Sequence, residues 1–163
     1  MVVLGNILGF IANIIGFGYF KSNNKNRICI FSILMCLFQI ASMLVLSAYS
    51  GLVVVTCNIF RALLTRFNKW GKYWIIFFTF IIICFTIYFY KSPLDFLSVI
   101  GAIVNNIGFF LMQKGRLTSF RWMRFSANLM WVLYYCYIIN FVSMVFEIIY
   151  TIINLKELFR KKE

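Results

Sequence analysis

An uncharged apolar run from Tyr73 to Tyr90, preceded by Lys72, most constrains this chain, because the stretches on either side of it occur in duplicate while the run itself does not. At about 1.5 Å per residue, a helix of this length crosses the roughly 30 Å hydrocarbon core of a bilayer. If each flanking unit crosses three times, one extra crossing lets the second unit enter in the same orientation as the first. The sequence therefore predicts an all-α polytopic membrane protein with seven transmembrane helices on a 3+1+3 plan.

Composition excludes several other classes. Hydrophobic residues make up 63% of the chain and charged residues only 12%, which is unlike a soluble domain. The chain has no histidine, and its five cysteines lie in apolar runs without paired metal-ligand spacing, so we expect no metal, no cofactor and no disulfide framework. General acid and base groups are also scarce. An enzyme is therefore not expected.

The number of spans is ambiguous from length alone. The uncharged run Ile28–Phe60 is too long for one ordinary span and short for two, and Phe125–Leu155 poses the same problem. A turn near Tyr49–Gly51 would divide the first run, provided that the long side chains of Arg61 and Arg66 reach the interface. A turn near Ile139–Asn140 would divide the second.

The distribution of basic residues favours the divided, seven-span model. It places fifteen of the sixteen lysines and arginines on one side and Lys91 on the other, whereas an undivided model shares them equally. By the positive-inside rule the crowded side is cytoplasmic, so the N-terminus is outside and the C-terminus is in the cytoplasm. Trp70, Tyr73, Trp74 and Trp122 are expected at the inner interface. The charge predicts contact with anionic lipid headgroups at the cytoplasmic face rather than with nucleic acid.

A pattern GxxxNxxGF occurs in both halves, displaced by ninety-two positions. It is formed by Gly9, Asn13, Gly16 and Phe17, and again by Gly101, Asn105, Gly108 and Phe109. Both copies start outside, so they are parallel repeats. The predicted organisation is a first three-helix repeat over residues 1–70, a linker transmembrane helix over 71–91, and a second three-helix repeat with a basic cytoplasmic tail over 92–163. The glycines are expected to allow close helix packing.

Polar side chains within the predicted spans are the candidates for a substrate site near the midplane. They are Asn13, Asn58, Asn105, Trp131, Glu147 and Asn154. Each has an alternative role: the asparagines could hydrogen-bond neighbouring helices, and Trp131 could fill the bundle instead of stacking on a solute. Glu147 could be a proton carrier, a counter-ion for a cationic solute or a purely structural group.

Two stretches, NIFRALLTRFNK (Asn58–Lys69) and SPLDFLSVIGAIV (Ser92–Val104), resemble the YgjV family of small bacterial inner-membrane proteins, and the likeness covers nearly the whole chain. The resemblance implies a multi-pass protein of the inner membrane. Residues that look like family features are Asn58, Arg61, Gly101, Glu147 and Asn154.

The 3+1+3 plan is similar to that of SWEET, PQ-loop and PnuC-type transporters. By that likeness Asn58 and Asn154 resemble the asparagine pair that faces the SWEET substrate. The chain departs from those families because the proline-glutamine motif is absent and Pro93, its single proline, lies outside the predicted spans.

The leading hypothesis from the sequence is an inner-membrane transporter that moves a small polar solute, neutral or cationic, by alternating access between two three-helix bundles. The alternative is a non-transporting accessory or assembly protein with no small-molecule substrate. The sequence leaves open whether copies of the chain associate as a homo-oligomer.

Overall fold

The computed structural model describes residues 1–159, and this part of the chain consists of seven α-helices with no β-strand. Their bounds are α1 Val2–Lys21, α2 Lys25–Val45, α3 Tyr49–Arg66, α4 Lys72–Tyr88, α5 Asp95–Gln113, α6 Leu117–Tyr137 and α7 Phe141–Phe159. The prediction of an all-α fold with seven helices is confirmed. The basic tail, with Arg160, Lys161 and Lys162, lies outside the described residues.

Both long apolar runs are divided by a turn. The break near Ile139 is where the sequence predicts it, because α6 ends at Tyr137 and α7 begins at Phe141. The earlier break lies a few residues before the predicted position, since Tyr49–Gly51 already forms the first turn of α3. The reversal falls on Ser47, whose φ of 54° is the left-handed conformation that ends many helices.

Six of the helices form a closed ring. Around it α1 packs on α2, α2 on α3, α3 on α5, α5 on α6, α6 on α7 and α7 on α1, while α4 lies outside against α3 and α5. Short connections make successive helices antiparallel. We call the end that carries the connections 22–24, 67–71 and 114–116 the basic end, and the end with 46–48, 89–94 and 138–140 the opposite end.

Polar and apolar side chains are distributed in reverse of a water-soluble protein. Large apolar side chains point outward, as Val3 (74% exposed) and Phe80 (66%) do, while Asn13, Arg61 and Glu147 are buried. Three helices, α1, α2 and α5, are long and apolar enough to cross a bilayer, and α4 is a shorter apolar helix. An apolar exterior around a polar interior suits a hydrocarbon environment.

A hydrogen-bonded cluster at the opposite end ties three helices together. Helix α3 has no side-chain N-cap of its own. Instead, the backbone N–H of Gly51 donates to the phenol oxygen of Tyr134 on α6 over 2.9 Å. That oxygen is also 2.9 Å from Ser50 Oγ, which donates to Asp95 Oδ1 on α5 over 2.8 Å. Tyr134 therefore caps a helix to which it is not connected in sequence.

Replacing Tyr134 with phenylalanine is expected to lower the free energy of unfolding by about 1–3 kcal/mol, because it leaves a buried N–H without an acceptor. Thermal or denaturant unfolding of the purified protein in detergent measures the loss. Tyr137→Phe is the matched control, since this tyrosine lies one turn further along α6 and is only partly buried. Equal losses in the two variants would contradict the capping role.

Candidate functional site: a polar cavity inside the helix ring

A small cavity of about 30 Å³ lies inside the ring, and every residue that lines it is buried. All six ring helices contribute to the lining, whereas the residues described for α4 do not. The lining residues are Tyr19, Ser32, Met35, Cys36, Gln39, Asn58, Arg61, Asn105, Arg124, Trp131, Tyr135 and Glu147. A volume of this size holds one or two water molecules. The side chains thus form a polar site without room for a larger solute.

The structure brings four of the six sequence-predicted site residues to this cavity: Asn58, Asn105, Trp131 and Glu147. Asn58 is notable because its side-chain amide makes no hydrogen bond to any residue within 1–159, although the residue is only 8% exposed. An amide that lines a cavity and has no protein partner is available to a ligand.

Glu147 projects from α7 and is 3% exposed. Its neighbour is Asn128 on α6, whose amide orientation follows from the surrounding acceptors. With its nitrogen turned towards them, Asn128 donates to Arg124 O (3.1 Å) and to Glu147 Oε2 (3.3 Å). Among the described residues no cation lies within ion-pair distance of this carboxylate. Glu147 is therefore held by a neutral amide.

The other two predicted residues, Asn13 and Asn154, lie away from the cavity lining. Asn13 Nδ2 donates to Gly9 O (2.7 Å) and to Ser143 Oγ (3.1 Å), so it joins α1 to α7. Asn154 Oδ1 accepts from Arg121 Nη1 over 3.4 Å. Substrate binding by these two asparagines stays a prediction, and their observed contacts match the alternative role of joining helices.

Two arginines turn into the central cavity, which their positions in the sequence did not predict. Arg61 was expected to reach the membrane interface, but it is 1% exposed and lines the cavity. Arg124 was counted with the basic loops and is buried on α6, where it also lines the cavity. Their direction is set by helix packing, because both guanidinium groups lie over aromatic rings contributed by other helices.

Trp70 is also buried, contrary to the expectation of an interfacial anchor. Its side chain is 1% exposed, its ring stacks on Phe78, and its Nε1 donates to the backbone oxygen of Asn106 over 3.1 Å. The other three predicted anchors are exposed: Tyr73, Trp74 and Trp122. Trp70 instead fixes the α3–α4 connection against α5.

The glycines of the repeated pattern pack closely, as predicted. A Cβ on Gly16 would collide with the hydroxyl of Tyr150, and one on Gly101 would lie 3.2 Å from Trp131 Nε1. The two copies nevertheless face different neighbours. In α1 the glycine face packs against α7, while in α5 it packs against α6.

Side-chain contacts join the lining helices on both sides of the cavity. Towards the opposite end, Gln39 Nε2 donates to Tyr135 Oη over 3.2 Å, which joins α2 to α6. Towards the basic end, the guanidinium of Arg124 lies over the rings of Tyr19 and Phe20, with 4.0 Å and 4.4 Å from its Cζ to the ring centroids.

A ring of helices with an apolar exterior and a charged, fully buried interior defines an integral helical membrane protein. The comparison with known families agrees with that class. The chain belongs to the Imp-YgjV family, described as bacterial inner membrane protein, whose model matches residues 3–163. No curated protein and no solved structure matches the chain.

Proposed function

We propose that the protein is an inner-membrane transporter that moves a small polar solute by alternating access, with the cavity as the solute site. The observation that carries this proposal is the cavity itself, because each of the six ring helices supplies a buried polar side chain to it. A protein that uses polar residues only to join helices has no need to converge them on one point. Polar groups buried in membrane bundles are costly and commonly mark a solute pathway.

The proposed topology has seven crossings in a 3+1+3 arrangement, similar to that of SWEET transporters, with the N-terminus outside and the C-terminus in the cytoplasm. The pattern of contacts between helices supports it. In that arrangement α1 corresponds to α5 and α3 to α7, and α1 packs on α7 as α5 packs on α3. These two contacts would be the surfaces on which the repeats rock. The basic end would then face the anionic headgroups of the cytoplasmic leaflet.

The volume of the cavity bears on the mechanism. Ligand sites for small molecules usually exceed about 300 Å³, so a cavity of about 30 Å³ is too small for a metabolite. A solute would enter only when the two bundles move apart. The same small volume favours the second candidate, a non-transporting accessory or assembly protein, in which the cavity holds water and the polar groups fix the helix arrangement.

Asn58→Leu separates these two functions. Because the Asn58 amide has no hydrogen-bond partner within residues 1–159, its loss is expected to change stability little while it lowers solute flux roughly tenfold. The measurement is release from proteoliposomes loaded with small polar metabolites extracted from bacterial cells, followed by mass spectrometry. Thr56→Val is the matched control, since Thr56 is an exposed polar residue on the same helix that hydrogen-bonds only to Leu52 O. If wild-type protein releases no metabolite above protein-free liposomes, the accessory role is the better description.

A further inference from the structure

Two buried guanidinium groups line the central cavity, and we infer that the solute carries one compact anionic group, a carboxylate or a phosphate, which binds between Arg61 and Arg124. The inference rests on the proposed transport function and specifies the class of solute. It departs from the neutral or cationic solute expected from the sequence, where Glu147 was the single acidic residue placed well inside a span.

Arg61 reaches the cavity from α3 without an acidic partner. Its Nη1 donates to Asn106 Oδ1 over 3.1 Å, and its Cζ lies 4.0 Å from the centroid of the Phe109 ring. Its Nε is buried and has no hydrogen-bond partner. A neutral amide and a ring face satisfy only part of a guanidinium with five N–H donors. Arg61 therefore retains donor capacity inside the protein.

Arg124 reaches the same cavity from α6 in a similar way. Its Nη1 donates to the hydroxyl of Tyr19 and to Asn105 Oδ1, the latter over 3.4 Å. Its Nε is also buried without a partner. Both arginines are more than nine-tenths buried. Two unsatisfied guanidinium nitrogens thus belong to side chains that line one small space.

The charges around the cavity do not balance. Arginine stays protonated in proteins, so Arg61 and Arg124 contribute two positive charges, while the lining contains one carboxyl group, that of Glu147. Within residues 1–159, neither arginine has a carboxylate within ion-pair distance. Burying an uncompensated charge is expensive. A bound anion would reduce the excess positive charge whether Glu147 is ionised or neutral, whereas a cation would increase it.

The chemistry of the donors indicates the kind of anion. Guanidinium groups bind carboxylates and phosphates through paired N–H donors. The free amide of Asn58 adds a donor or acceptor from α3 at the same cavity. These partners suit an oxyanion attached to a small polar body, and they provide no large apolar surface for a lipid chain.

The test uses three nearly isosteric probes that differ in charge: acetate, acetamide and acetamidinium. Purified full-length protein in detergent is titrated with each at fixed chloride and fixed ionic strength, and its unfolding temperature is recorded. Acetate is expected to give a saturable rise of at least about 3 °C, and the other two are expected to give none. Methyl phosphate is run in parallel, and the larger of the two rises identifies the preferred oxyanion.

Substitutions of single arginines test whether the acetate response arises at the cavity. Arg61→Gln and Arg124→Gln are each expected to remove the acetate response, whereas Arg66→Gln, an exposed arginine further along α3, is expected to keep it. If a cavity variant fails to fold, the titrations of wild-type protein with the three probes still test the inference. A response to acetamidinium or acetamide alone, or no response to either oxyanion, overturns the inference. If metabolites still leave the proteoliposomes in that case, the transport proposal survives and only the anionic class is wrong.

Discussion

Replacing Trp70 with alanine is expected to lower the free energy of unfolding by about 3–5 kcal/mol, a loss typical of a buried tryptophan. The side chain is 1% exposed, and its ring stacks on Phe78 with 5.8 Å between centroids. The backbone N–H of Trp70 also donates to Gln113 Oε1 over 3.2 Å. Truncation would leave a cavity between the α3–α4 connection and α5, and would free the Asn106 carbonyl from the indole.

Trp74→Ala is the matched control for this prediction. Trp74 stacks on the same Phe78 ring at 5.9 Å, but 41% of the residue is exposed. Its truncation is expected to cost less than about 1 kcal/mol, since it removes surface contact without creating an internal cavity. Denaturant unfolding in detergent, followed by tyrosine and tryptophan fluorescence, compares the two. A larger loss in Trp74→Ala would show that Trp70 does not fix the connection.

The helices were predictable because their signals are local. Long apolar runs between basic segments give the number and approximate bounds of the helices. The run after Lys72 is helical from Lys72 to Tyr88, as the sequence predicts. The turn before α3 was misplaced because Ser50 and Gly51 are common in turns, and their place in a helix depends on a cap supplied by Tyr134 from elsewhere in the chain.

The direction of long side chains was less predictable, because distance from a loop in sequence does not say which way a residue faces. Arg124 illustrates this. It shares one face of α6 with Asn128, Trp131 and Tyr135, at intervals of four, three and four residues. Reading that spacing as one polar stripe would have placed Arg124 inside the bundle. The total charge of the site depends on whether Arg124 faces the cavity or the membrane interface.

The two asparagines of the repeated pattern show a second limit. Asn13 and Asn105 occupy equivalent positions in sequence, yet Asn13 bonds to α7 while Asn105 lines the cavity and accepts from Arg124. The two positions have different surroundings because this face of α1 packs against α7, whereas the same face of α5 packs against α6. Ser143 and Arg124 decide the two roles, and the positions ninety-two residues before them hold Gly51 and Ser32 instead.

A disulfide between α1 and α7 is expected to abolish solute flux, because it would join the two proposed repeats where they must separate. A Cβ on Gly9 would lie 2.9 Å from Ser143 Oγ. That oxygen is one bond beyond the Ser143 Cβ, and three other heavy atoms lie nearer than this Cβ, the farthest of them at 3.4 Å. The two Cβ atoms are therefore about as far apart as the roughly 3.5–4.5 Å that a disulfide spans. The double variant Gly9→Cys with Ser143→Cys should therefore form the bond under oxidising conditions.

The expected result is flux close to zero in oxidised proteoliposomes and recovery after a reductant is added. Each single-cysteine variant serves as a control, because the exposed native cysteines Cys84 and Cys136 would respond to oxidation equally in all of them. Positions 9 and 143 lie near the opposite end of the bundle, which faces outside in the proposed topology. The bond would therefore hold the outer entrance closed. Unchanged flux with a fully formed disulfide would mean that solute does not pass by separation of α1 from α7, and alternating access between these repeats would be abandoned.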